Sequence, residues 1–441
     1  MNKPTAKEPI RAVKGMHDLF EDELCTWRRV EALARDVFLR FGYGETRTPI
    51  LEETQLFVRS VGETTDIVEK EMYTFADRDK AGTSLCLRPE NTAGVVRACL
   101  QAGKLHADAE VKLFYLGPMF RRERPAKGRF RQFHQLGAEA FGIDSPAVDV
   151  EMMAMLHMLL SELGLSGIEL RVNSLGGPED RPAYAEALRA YFGAHKGELC
   201  PDCQRRLDTN VLRVLDCKVP SDQALAADAP LTLDYLSHPS RAHFDAVLSG
   251  LDRLHIPHVV DPKLVRGLDY YSGTVFEALA LSGLGAQNAV AGGGRYDGLV
   301  EELGGRPTPA IGFAAGIERI VLLLEESGKA EKPRPAKLML IGADERGREA
   351  AERLGHELRG RGVHVEVDVK GRSVKAQMKH ADRSGVEQVL VLGARELEAS
   401  SAELKHMHAG TVETVPLHAE ELARRVTRPV HAAPSALGET P

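Results

Sequence analysis

At 441 residues the chain is long enough for two or three domains, each with its own core. Its 43% hydrophobic and 27% charged content is that of a soluble globular protein, and no apolar run reaches bilayer length. A net charge of −7 excludes indiscriminate coating of nucleic acid, so any such contact must come from local basic surfaces. Residues 1–11 lack an apolar signal core, and the six cysteines form no dense framework; both readings place the chain in a reducing cytoplasm.

Residues 18–41 put Leu24, Trp27, Val30, Leu33, Ala34, Val37 and Phe38 on one stripe and predict an amphipathic helix, stopped by Gly42 and Gly44. A strand interrupted by Pro49 is expected over 46–51, hence at an edge or a strand end. Strands follow near 71–75, 85–87 and 113–120, with helices over 91–102 and 148–163. Between about 177 and 257 the pattern becomes helices with short polar connections, an inserted helical unit. Strand signals return at 274–281 and 310–313, before an apolar helix over 315–324. Residues 327–335 have a linker's composition, and the domain boundary is set at 331–336. Beyond it, strands at 338–341, 363–369 and 388–392 alternate with helices at 345–358 and 374–381. A hairpin and a helix over 419–426 follow, which together predict a small, largely parallel or mixed sheet covered by helices. Residues 429–441, rich in Pro and Ala, are expected to be disordered.

Several segments carry chemistry. Arg121, Arg122, Arg124, Lys127, Arg129 and Arg131 surround the single carboxylate Glu123, a run suited to phosphate. Taken alone it reads as a solvated basic hairpin. In the following stretch Gln135, Gly137 and Glu139 share one face of a strand, a plausible floor for a small polar ligand, while Leu136, Ala138 and Ala140 share the other. Glu90 and Thr92, at a strand-to-helix junction, could hold an ammonium group or simply start a helix. Arg266, Gly267, Tyr270 and Tyr271 suit a pocket needing a fixed cation and hydroxyl donors, though paired tyrosines are more often half in the core. Gly292, Gly293 and Gly294, before Arg295 and Tyr296, allow close backbone approach to a ligand or form a loop; the spacing is neither a Walker loop nor a dinucleotide fingerprint. Arg319 falls in the first turn of a helix after Gly312 and Gly316. The helix dipole disfavours it there, so a bound anion would supply a reason for its presence.

Together these segments resemble the signature motifs of class II aminoacyl-tRNA synthetases, and of the histidyl-tRNA synthetase family in particular. Residues 120–133 resemble motif 2, residues 312–319 motif 3, and the stretch around 42–49 motif 1, a dimer-contact element. Residues 264–271 and 291–297 resemble the two histidine-specific motifs, and the match runs from about 14 to about 415. The resemblance implies an α+β catalytic core over 1–330, built as an antiparallel sheet flanked by helices. It also implies an α/β anticodon-binding domain over 337–428 and a homodimer.

It further implies ATP-dependent attachment of L-histidine to its tRNA through a histidyl-adenylate, with Mg2+ accompanying ATP. Arg121 would grip the α-phosphate and Arg319 the γ-phosphate, with Glu123 meeting the adenine or bracing the loop. Arg266 would lie between the histidine carboxylate and the α-phosphate. Glu90, Thr92 and Gln135 resemble the α-amino site, Glu139 and Tyr271 would bind the two imidazole nitrogens, and Tyr270 and Tyr296 would wall the pocket. Gly137 would leave bare strand for the substrate to lie against. Arg122, Arg124, Lys127 and Arg129 would meet the tRNA acceptor end, with Ala126 standing where many relatives have glutamine. The competing reading is a non-catalytic, synthetase-like regulatory subunit of histidine biosynthesis. Cys200, Cys203 and Cys217, with His195 as a candidate fourth ligand, form an incomplete zinc set; inert thiols and no protein-bound metal are expected.

Overall fold

The computed structural model describes residues 10–62, 65, 67–78, 82–285 and 288–427, so the expected disordered tail lies outside the described residues. The chain forms two compact units that divide between Lys332 and Pro333.

In the first unit an eight-stranded sheet runs β1-β5-β6-β11-β10-β9-β7-β8, built from β1 (Gly44–Glu45), β5 (Val111–Phe120), β6 (Gln132–Phe141), β7 (Ile168–Ser174), β8 (Val259–Val260), β9 (Ser272–Ala280), β10 (Ala289–Arg295) and β11 (Ala310–Gly316). The six central strands are antiparallel, and only β1 and β8 join the edges in parallel. Alternation assigns the two faces. Leu136, Ala138 and Ala140 of β6 pack into the main core with α1 (Glu21–Arg40), α4 (Pro146–Glu162) and α10 (Ile317–Glu326). Gln135 and Glu139 point the other way.

A small sheet of β2 (Leu51–Glu53), β4 (Ser84–Leu87) and β3 (Tyr73–Ala76) stands beside α2 (Thr54–Val61) and α3 (Thr92–Gln101). The strand expected over 46–51 is therefore corrected: β1 and β2 flank Pro49 and belong to different sheets. The carbonyls between them have another partner, the buried Arg88, whose Nη1 donates to Thr48 O at 3.0 Å and to Thr48 Oγ1 at 2.9 Å. The triple-glycine segment is likewise a central strand, β10. Gly293 would collide with Gly312 O and Phe313 if it carried a side chain, so glycine here serves sheet packing.

Within the inserted region, α5 (Arg181–Ala194), α6 (Pro201–Thr209) and α7 (Pro220–Ala227) share a separate small core with short 3₁₀ turns. The last helix, α8 (His238–Arg253), instead packs Phe244, Val247 and Leu251 into the main core.

The second unit has the sheet order β13-β12-β14-β15-β16, made of β12 (Leu338–Gly342), β13 (Val365–Val367), β14 (Gln388–Leu392), β15 (Ser401–His406) and β16 (Val412–Pro416). The first three strands are parallel and the last pair is the expected hairpin. Leu338 and Leu340 face α11 (Glu345–Arg359) and α14 (Ala419–Val426), whereas Met339 and Ile341 share a second core with Ala381 of α12 (Val374–Ser384). Among the described residues no helix is long and apolar enough to cross a membrane.

Candidate active site

The polar face of the large sheet forms the floor of a cavity of about 250 Å³. The hairpin between β5 and β6, the loop before β9 and the start of α10 wall it. Glu90, Thr92, Arg121, Glu123, Arg129, Gln135, Arg266, Tyr270, Tyr271 and Arg319 all line this one space, as does Tyr296.

Glu139 is not itself among the lining residues; it lies behind them, 1% exposed, bonded to Thr92 and Tyr296, which do line the cavity. Thr92 Oγ1 donates to it at 2.8 Å, and the Tyr296 hydroxyl donates to its other oxygen. The strand register explains its neighbours: Glu139 pairs with Gly312, where any side chain would overlap the carboxylate. Burial pushes the Glu139 carboxyl up to about 8, against the hydrogen bonds from Tyr296 and Thr92. The neutral form is thus favoured in the folded, ligand-free chain. Stability from this group is fully present below its ordinary value of 4.5 and is lost as the pH rises toward about 8. The melting temperature of the ligand-free protein should fall across that window, and Glu139→Gln should flatten the decline. A variant with an undiminished decline would contradict this assignment.

Glu90 serves the helix start and also faces the cavity. Its carboxylate accepts from the backbone N–H of Thr92 at 2.7 Å and of Ala93 at 3.0 Å, capping α3, while it also lines the cavity. Burial raises its carboxyl above the usual range. Gly137 is corrected. Its missing side chain makes room for the Tyr115 phenol, its cross-strand partner, rather than for substrate. Gln135 keeps an enclosed Oε1 without a hydrogen-bond partner among the described residues.

Arg266 Nη1 donates to Glu277 at 2.5 Å, and the guanidinium lies 5.8 Å from the Tyr271 ring centre. Its Nε is enclosed and has no hydrogen-bond partner among the described residues. A side chain at Gly292 would occupy the guanidinium's place. Gly292→Ala should therefore displace Arg266 and slow the chemistry by about 10²-fold, the scale of a ~1 Å misplacement, with the melting temperature near that of the parent. Unchanged turnover would contradict this packing role.

Farther along, Arg121 Nε donates to Pro89 O at 2.9 Å and its guanidinium stacks 5.2 Å from the Phe133 ring centre. Arg319, third residue of α10, donates to Gly128 O at 3.2 Å and to Ala289 O. Burial and then the neighbouring Arg129 charge lower its basicity. Glu318 anchors α10 by accepting from the His134 backbone N–H at 2.9 Å. Arg129 lies 3.1 Å from Glu123 and lines the cavity. This separates it from the exposed Arg122, Arg124 and Lys127, with which the sequence grouped it.

Sequence reasoning missed Arg88, Tyr115 and Glu277. Only Glu277 left a signal, as a lone charge within the apolar strand 272–280. It also overlooked the buried pair of Arg295 and Asp149, 2.7 Å apart, which ties β10 to α4. His195 is not a fourth partner for the cysteines, since its ring pairs with Glu198 at 2.9 Å; Asp222 occupies that place.

The histidyl-tRNA synthetase family profile matches residues 15–176 and 203–320, and an anticodon binding domain profile matches 336–428. Histidine–tRNA ligase of Anaeromyxobacter dehalogenans is 49% identical over 418 residues, covering 95% of this chain and 99% of the relative. The Geobacillus thermodenitrificans histidine–tRNA ligase is 50% identical over 409 residues, covering 92% and 95%. The crystal structure of apo S. aureus histidyl-tRNA synthetase superposes with a TM-score of 0.79 at 36% identity, covering 95% of this chain and all of that one. The chain belongs to the histidyl-tRNA synthetase family.

Proposed function

We propose that the chain attaches L-histidine to its tRNA in two steps, forming histidyl-adenylate from ATP with release of diphosphate, then transferring histidine to tRNA with release of AMP. The observation that carries this reading is one cavity lined by Arg121, Arg266 and Arg319, with the buried Glu139 carboxylate bonded to two of its lining residues, Thr92 and Tyr296.

The imidazole lies between Glu139 and Tyr271, its N–H donating to the carboxylate and its second nitrogen accepting from the phenol. Glu90, Thr92 and Gln135 receive the α-ammonium, for which the enclosed Gln135 Oε1 is an available acceptor. Arg266 bridges the histidine carboxylate and the α-phosphate. Arg121 grips that phosphate and Arg319 the γ-phosphate, with Glu123 nearby. These guanidinium groups stabilise charge that grows as diphosphate leaves. ATP enters as its magnesium complex, the metal travelling with the substrate's phosphates. The exposed Arg122, Arg124 and Lys127 meet the tRNA acceptor end, and residues 337–428 bind the anticodon. The chain works in the cytoplasm as a homodimer, whose interface covers exposed Leu39, Ile50 and Leu51 around the first motif.

A regulatory, non-catalytic role is not favoured, because the three arginines and the C-terminal unit are all retained. The test is charging of purified histidine tRNA with labelled histidine. Histidyl-tRNA should form only with ATP, and failure to charge by a folded, ATP-binding protein would sink the proposal.

A further inference from the structure

The small helical insert contains a cluster that histidine activation does not use. Cys200, Cys203 and Cys217 bring their sulfurs together with a carboxylate oxygen of Asp222, all four atoms within 4.8 Å of one another. We propose that these four residues bind a structural zinc ion.

The spacing suits tetrahedral coordination. Zn–S bonds of about 2.3 Å and Zn–O bonds of about 2.0 Å set S···S edges of roughly 3.8 Å and S···O edges of roughly 3.5 Å. Cys200 and Cys217 sulfurs are 3.9 Å apart, and Cys217 Sγ is 3.3 Å from Asp222 Oδ2. The sulfur separation is far too long for a disulfide bond of about 2.05 Å.

The backbone also treats two of the sulfurs as acceptors. The N–H of Cys203 points at Cys200 Sγ at 3.5 Å, and the N–H of Val219 points at Cys217 Sγ at 3.5 Å. Such N–H···S contacts stabilise thiolates. Cys200 caps α6, so the Cys-x-x-Cys pair sits at a helix N-terminus. Asp222 is 0% exposed and is oriented by the Cys200 backbone N–H and by Ser221 Oγ, each at 3.1 Å. Arg206 Nη1, 4.0 Å from Cys203 Sγ, offsets part of the negative charge of a Cys₃Asp set.

Stability supplies the reason. This core joins short helices and 3₁₀ turns, the kind of small unit that commonly needs a covalent or metal staple. The same insert braces the loop that carries Arg266. Asn210 Nδ2 donates to Asp269 at 2.9 Å, and Arg213 Nη1 donates to Gly267 O at 3.2 Å. Sulfur-rich tetrahedral sites select zinc or iron, and an isolated four-ligand site favours zinc. Thiols must give up their protons to bind zinc, so binding releases protons.

The full chain, purified under reducing conditions without chelator, should carry one zinc per chain by elemental analysis. After zinc removal, cobalt(II) should give thiolate charge-transfer absorption and the intense bands of tetrahedral cobalt, with affinity weakening as the pH falls. Asp222→Asn should weaken cobalt binding by at least the ~10-fold to 100-fold typical of lost outer partners, and Cys25→Ser should leave it unchanged. Cys203→Ser should bind no metal; if it does not fold, the spectrum of the unaltered chain still decides. A folded full chain with neither zinc nor thiolate–cobalt absorption, with iron in place of zinc, or with a Cys200–Cys217 disulfide overturns the proposal.

Discussion

Arg266→Ala is expected to lower the rate of ATP–pyrophosphate exchange by about 10²-fold to 10³-fold while the chain stays folded. The guanidinium is held from three directions, by Glu277 at 2.5 Å, by the Tyr271 ring and by the space left at Gly292. A cation fixed in this way needs no reorganisation as charge develops on the α-phosphate. Its loss therefore falls on the chemical step more than on ground-state binding. Arg266→Lys should not restore the rate, because a point charge on a flexible stem cannot reproduce a bidentate fork stacked on a ring. Truncation also leaves Glu277 unpaired, so melting curves must accompany the kinetics; Glu277→Gln in the same chain relieves that charge without returning the cation. Near-normal exchange by a folded Arg266→Ala variant would contradict the placement.

Glu139→Gln should reduce kcat/KM for histidine by about 10²-fold, in line with the ~1.5–3 kcal/mol carried by a hydrogen bond to a charged group. The amide keeps the shape of the side chain and can still accept from Thr92 or Tyr296. It cannot carry the negative charge that the imidazole N–H prefers, and its NH₂ would face a donor. ATP affinity should change little, because Arg121 and Arg319, rather than Glu139, act on phosphate. If the variant lost ATP and histidine binding equally, the carboxylate would be a folding element rather than a specificity element.

Much of the site could be read from residues that are close in the chain. The alternation of Gln135 and Glu139, the cations on either side of Glu123, and Arg319 at a helix start each carry their chemistry in local spacing. What could not be read depends on strands paired across long stretches of sequence. The need for glycine at 312 arises only because β11 sets it against Glu139, and Gly137 gives way to Tyr115 only because β5 sets that tyrosine opposite. Arg88 resembled one polar residue among many until the carbonyls of Thr48 and Pro118 converged on it. Arg129 and Arg122 looked equivalent along the chain, yet the turn at Gly128, with φ +68°, sends one into the cavity and leaves the other exposed. The cysteines gave three ligands of one type and their spacing; the fourth, Asp222, is a lone acidic residue in a helix start that sequence periodicity does not distinguish.

The most direct measurement is ATP–pyrophosphate exchange with each of the twenty amino acids supplied singly. Histidine alone should support exchange, since only an imidazole offers both a donor for Glu139 and an acceptor for Tyr271 in this pocket. Exchange driven by another amino acid would contradict the assigned floor, and no exchange with histidine from a folded, ATP-binding chain would contradict the account as a whole.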